Sequence, residues 1–175
     1  FTNQPTLSFN TSTFNEITAN DGTTAGVAVA TLVGDTFTAS VIDGNAFTAT
    51  THYTVANVPA GMTAVLTKTS STSAILTLTG SATANLTNPV DVTNLTVTFT
   101  NAAFTTTAAT YITGSTKADF VVNFTDTPVI AYDVATFTEA STLNGSIGTT
   151  VNVTLTGDTF AVIGAQTTQV SVTNV

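Results

Sequence analysis

Apolar and polar side chains alternate with a period of two along most of this chain. Ala64-Val65-Leu66-Thr67-Lys68-Thr69 and Ser73-Ala74-Ile75-Leu76-Thr77-Leu78-Thr79 are two such runs. Ser70-Ser71-Thr72 between them predicts a hairpin with a polar tip. Leu95, Val97 and Phe99 fall on one face of a half-buried strand, Leu95–Thr100. Phe120, Val122 and Phe124 share a face of the next, and Val27, Val29, Phe37, Val41, Tyr53 and Val55 mark earlier strands by the same rule. Turn chemistry separates the runs: Asp21-Gly22, Gly34-Asp35, Asp43-Gly44-Asn45, Pro59-Ala60-Gly61, Asn88-Pro89 and Gly114-Ser115. Asn88 as cap and Pro89 at the first position predict one short helical turn before Leu95. Nothing sustains a helical period. About seven to nine short strands at this spacing predict an all-β, antiparallel two-sheet sandwich.

The pattern then starts again. Pro128-Val129-Ile130-Ala131-Tyr132 matches Pro5-Thr6-Leu7-Ser8-Phe9, and Thr136-Phe137-Thr138-Glu139 matches Thr13-Phe14-Asn15-Glu16. Gly157-Asp158-Thr159-Phe160 matches Gly34-Asp35-Thr36-Phe37, all at one offset of 123 residues, as from Phe14 to Phe137. Val172-Thr173-Asn174-Val175 matches Val55-Ala56-Asn57-Val58 at 117, so the second copy is shorter around the Asp43–Phe47 loop. Residues 1–127 are therefore expected to form one sandwich and 128–175 the N-terminal part of another, incomplete, copy. Thr125-Asp126-Thr127-Pro128 is a short, stiff link between them.

Composition narrows the function. Charged residues are 7% of the chain, against about 25% in a typical protein. Thr alone supplies roughly a quarter, a mix with Val, Ile and Phe that suits pleated strands. Net charge is −8 and Arg is absent, with Lys68 and Lys117 the only basic side chains besides His52. Nucleic acid and anionic membrane surfaces need clustered cations, so neither is an expected partner. No apolar run approaches the roughly 18 residues of a membrane span. Zero Cys removes disulfides and thiolate metal sites. A start at Phe1, without Met or a signal sequence, is expected of a processed product or an excerpt.

Two segments carry a family resemblance. Tyr53-Thr-Val-Ala-Asn-Val-Pro59-Ala-Gly61-Met62-Thr-Ala resembles the Pro-Ala-Gly turn of bacterial immunoglobulin-like surface repeats. Val90-Asp91-Val-Thr-Asn94-Leu95-Thr-Val-Thr-Phe99-Thr-Asn-Ala-Ala-Phe104 is similar to a segment of very large tandem-repeat surface proteins of Gram-negative bacteria. The resemblance implies an Ig-like sandwich and a secreted, cell-surface adhesin or fibre-forming chain.

Candidate chemistry is sparse. His52, the single imidazole, lacks a Gly-x-Ser-x-Gly elbow to serve and reads as a strand-end surface residue. Calcium takes six to eight oxygens, often from loop Asp and Asn. Its best candidates are Glu16, Asn20, Asp21 and Asp43, with Asp126 and Asp133 as a second set. Glu16 and Asp21, with their counterparts Glu139 and Asn144, read equally well as turn formers. No other cofactor is expected. Lys68 and Lys117 raise a Lys–Asn isopeptide cross-link, against which exposed Lys is the default. Six Asn-x-Ser/Thr sequons are no more than this composition gives by chance. Leu95–Thr100 and Asp119–Thr125 carry few charges and no Pro, so either would accept a neighbour's strand if it lay at a sheet edge.

The leading expectation is a non-enzymatic structural and adhesive module of an extracellular bacterial fibre, stalk or surface filament. Its partners are adjacent similar repeats or subunits, and host or surface glycans. The alternative is a self-assembling filament subunit that polymerises by strand exchange, in which Val151, Val153, Leu155, Phe160 and Val162 await cover. A carbohydrate-binding module fits the fold class less well, because there is no Trp and only three Tyr to form a platform. An enzyme is least expected, with no paired carboxylates or nucleophile to assign.

Overall fold

The computed structural model describes residues 3–85, 91–125, 128–142, 145–157 and 160. It divides into two compact units, Phe1–Asp126 and Thr127–Val175. Asp126, Val162, the Val172–Val175 match and the Asn88-Pro89 turn lie outside the described residues.

Alternation sets the strands of the first unit: β1 (Thr6–Phe9), β2 (Thr13–Glu16), β3 (Thr24–Ala25), β4 (Ala28–Val33), β5 (Tyr53–Ala56), β6 (Met62–Ser70), β7 (Ser73–Gly80), β8 (Val92–Phe99) and β9 (Thr116–Asn123). They form a four-stranded sheet, β1-β4-β7-β6, and a five-stranded sheet, β3-β2-β9-β8-β5. The architecture is all-β, and its inner faces share one core as in a β-sandwich. Leu32, Leu66 and Leu76 of one sheet meet Phe14, Leu95 and Phe120 of the other. Phe9 and Phe120 touch edge-on across the layers with ring centroids 4.9 Å apart. Phe37 lies outside the strands yet anchors an aromatic cluster with Phe47, Phe99 and Phe104, at centroid distances of 5.5, 5.9 and 6.0 Å. Each such buried ring contributes about 1.5–3 kcal/mol relative to leaving it exposed.

Two sequence expectations are corrected, and the condition set for a third is not met. The sandwich is not wholly antiparallel: β2 runs parallel to β9, Thr13 facing Val121 and Asn15 facing Asn123. The extended N-terminal stretch keeps its direction while passing from one sheet to the other, so its second half joins β9 side by side. In β4 the small residues Ala28 and Ala30 point inward with Leu32, and Val27 and Val33 are exposed. The phase follows Leu32, so the valines do not mark the buried face. β8 and β9 are interior strands, each flanked on both sides, and offer no free edge.

In the second unit β10 (Val129–Tyr132) pairs antiparallel with β11 (Val153–Thr156). Ile130 faces Leu155 and Tyr132 faces Val153, just as Leu7 faces Leu32 and Phe9 faces Ala30. Every partner on both strands is shifted by 123 residues. The Ala140 N–H donates to Ser146 O at 2.8 Å, and the Ile17 N–H to Thr23 O at 3.0 Å. Gly145 and Gly22 share φ of +82°.

Candidate functional site

Glu16 closes β2, and its carboxylate is a polar junction of the first unit. Its Oε1 accepts from the Gly22 N–H at 2.6 Å and from Asn85 Nδ2 at 3.0 Å, and its Oε2 from the Thr125 N–H at 2.7 Å. One carboxylate thus joins β2, the turn after it, the β7–β8 connection and the residue leaving β9. Gly22 is required here: its φ is +82°, and a Cβ would lie 2.5 Å from Ala82 O. Asp21 Oδ1 accepts from the Thr23 hydroxyl at 2.6 Å and the Thr23 N–H at 3.0 Å. Those bonds, the hydroxyl's first, hold its carboxyl below the usual range.

Glu16, Asn20 and Asp21 therefore meet in one turn, but the oxygens of Glu16 and Asp21 face N–H and O–H donors. Asp43 is not brought to them; it pairs with Lys68 Nζ at 3.2 Å. Asp133, in the second unit, accepts from the Asn152 side chain at 2.6 Å and the Asn152 N–H at 2.8 Å, bonds that lower its pKa. Among the described residues no three His, Cys, Asp or Glu side chains are grouped as a metal site.

Lys68 is not the exposed residue its type suggests. Its side chain is buried, and Nζ donates to Val41 O at 2.9 Å and Thr38 O at 3.1 Å beside the Asp43 carboxylate. The ammonium pins the 38–43 loop to β6, and the backbone completes the seam through Gly44 N–H to Lys68 O and Lys68 N–H to Asn45 O. Nζ thus meets two backbone carbonyls and a carboxylate, and no asparagine carboxamide of an isopeptide link is among these partners. Lys117 instead pairs with Asp119 at 2.6 Å and sits 5.1 Å over the Phe120 ring.

His52 is likewise buried and not a surface residue. Its Nδ1 accepts from the Thr48 N–H at 3.0 Å and its ring packs against Phe47, so it closes a loop. Tyr53 reaches from β5 to the rim of the other sheet, where its hydroxyl donates to Ala64 O at 3.2 Å and accepts from the Leu66 N–H at 3.3 Å. Asp35 accepts from the Thr36 N–H, the Thr106 hydroxyl and the Thr107 N–H at 2.7–2.8 Å. Partial burial raises its pKa, but those donors outweigh it and the net shift is downward.

Sequence reasoning missed Asn85, whose Glu16 partner is 69 residues away and leaves no local signal. A shallow groove of about 420 Å³ between β5 and β6 is lined by Thr54, Val55, Val58 and Met62, without a charged group. A second, of about 380 Å³, lies between β1 and β9 beside Lys117 and Asp119. Among the described residues no helix is long and apolar enough to cross a membrane.

No protein-family model and no curated protein matches the chain. Among solved structures it is similar to the chitinase ChiW from Paenibacillus sp. str. FPU-7, a bacterial cell-surface-expressed multi-modular enzyme. That likeness has 16% identity and a TM-score of 0.45, over 69% of this chain and 13% of that one.

Proposed function

We propose that the chain is a non-enzymatic structural and adhesive module of an extracellular bacterial fibre, stalk or surface filament built from tandem immunoglobulin-like sandwiches. The observation that carries this reading is the β10–β11 pairing, which repeats the β1–β4 register with every partner moved by 123 residues. A unit repeated in register along one chain is how linear arrays are made. Strand order supports the immunoglobulin-like part. Lettered A, B, C, D, E, F, G for β1, β4, β5, β6, β7, β8 and β9, the sheets read ABED and CFG, with β2 added beside G. The carboxylates of Glu16, Asp21 and Asp35 bear on the non-enzymatic part, since their oxygens are engaged with N–H and O–H donors of turns and loops. Electron microscopy of the native protein tests the reading. A regularly beaded strand at the cell surface is expected, and isolated globular particles confined to the cytoplasm would refute it.

A further inference from the structure

The second unit exposes apolar side chains at the positions that make the core of the first. Phe137, Phe160 and Ile130 are 63%, 58% and 52% exposed, whereas Phe14, Phe37 and Leu7 at the matching positions are 0%, 2% and 5% exposed. One shift of 123 residues maps them all onto a single inward face.

The first unit shows what covers that face. Phe120 packs on Phe9 and Phe14, and Phe99 and Phe104 pack on Phe37, while at the strand edges β7 pairs with β4, Ala74 opposite Ala30, and β9 runs parallel to β2, Val122 opposite Phe14. Among the described residues, β10 and β11 pair only with each other. Two polar positions tell the same story. Glu16 draws Asn85 Nδ2 and the Thr125 N–H from the covering segment, while Glu139 repeats the bond to its own turn, from the Gly145 N–H at 2.6 Å. Gly22 abuts Ala82 of the covering segment. A Cβ on Gly145, at the same φ, would meet nothing within 4 Å among the described residues.

We infer that the second unit is an acceptor for a second copy of the segment Pro59–Thr125, seated in the register the first unit uses. One strand of it lies antiparallel to β11, as β7 does on β4, and another runs parallel to residues 136–139, as β9 does on β2. This rests on the tandem-repeat reading above. The complement is chemically specific. It must offer alternating large apolar side chains to Phe137 and Ile130, a carboxamide and a backbone N–H to Glu139, and a close backbone approach to Gly145. A lipid or a small apolar ligand supplies none of those donors.

The test extends the full chain directly after Val175 with a second copy of Pro59–Thr125, because Val172–Val175 matches the residues that precede Pro59. Amide exchange at Ile130, Tyr132, Val153 and Leu155 is then expected to slow by about a hundred-fold or more, as for a unit that opens only sub-globally. Phe137→Ala should lower the midpoint of the extended unit by roughly 10–20 °C, the same fall expected of Phe14→Ala in the first, and leave the unextended chain unchanged. The same segment added as a separate peptide asks whether a neighbouring molecule's strands serve as well; protection of the same four amides is then expected. Unchanged exchange in both arms, in a chain whose Leu7 and Leu32 amides stay protected, would overturn the inference. So would precipitation of the extended chain where the parent stays in solution, since a completed unit hides apolar surface. The fibre reading stands or falls separately, on imaging of the native protein.

Discussion

Glu16→Gln keeps the shape of the side chain while removing its charge and replacing one acceptor oxygen with an amide nitrogen. The carboxylate takes three bonds, from Gly22 N–H, Asn85 Nδ2 and Thr125 N–H. A carboxamide in its better orientation keeps the first two as weaker neutral bonds and sets its NH2 against the Thr125 N–H. Bonds to a charged group contribute about 1.5–3 kcal/mol and neutral ones about 0.5–1.5. Losing one and weakening two would cost about 3.5–6 kcal/mol in a dry interior. The junction is only partly buried and its Thr125 end is exposed, so water replaces part of the loss. The expected cost is about 2–3 kcal/mol, seen as a fall of roughly 8–12 °C in the first unit's midpoint by calorimetry of the full chain. Glu139→Gln is the internal control, because its bond to Gly145 is exposed, and it should cost less than about 0.5 kcal/mol. Equal effects at the two positions, or a Glu16→Gln cost below that figure, would refute the view that this carboxylate holds the sandwich shut.

Acid should weaken the first unit partly through Asp35. Its folded pKa lies below the ordinary 3.8, so the unfolded chain binds more protons in that range. The stabilisation is full above the unfolded value and disappears as pH falls through the folded one. Wild-type and Asp35→Asn midpoints should therefore converge between about pH 5 and pH 2, and parallel melting curves would count against the assignment. Gly22→Ala combines a positive φ with contact against Ala82 O, and about 3 kcal/mol or more of lost stability is expected in denaturant titration. Gly145→Ala carries only the left-handed penalty of about 1–2 kcal/mol, read from the exchange rates of its own unit. Millimolar calcium should move the midpoint by less than about 1 °C, because N–H donors face the Glu16 and Asp133 oxygens; a rise of several degrees would show a site there.

Local alternation made the strands legible but not their neighbours. The β6–β7 hairpin, and the inward faces carrying Leu95, Val97, Phe99, Phe120 and Val122, follow from residues two apart in sequence. Whether β8 and β9 sit in the middle of a sheet depends on partners such as β2 and β5, tens of residues away, and no local pattern encodes it. Ala28 and Ala30 defeat a rule that ranks Val above Ala, since the phase of β4 is fixed by Leu32 and by packing across the core. Lys68 was hidden for another reason. An ammonium is costly to bury alone, and two loop carbonyls and Asp43 make it tolerable only once the 38–43 loop has folded over it. Glu16 and Asp21 were identifiable as turn residues from their spacing to Gly22, but Asn85 and Thr125 had to arrive from the far end of the unit.

The parallel contact between β2 and β9 joins the beginning of the first unit to its end. Tension that draws residue 13 toward the N-terminus and residue 123 toward the C-terminus pulls these two strands past each other along their length. The bonds between them, over Thr13–Asn15 and Val121–Asn123, then carry load together in shear and do not open one at a time as a hairpin does when its ends are pulled apart. The Glu16 bond to Thr125 lies at the end of that same seam and shares the load. A chain of such units would hold its length under steady traction until a whole seam gave way at once. Extension would then proceed in steps of one unit.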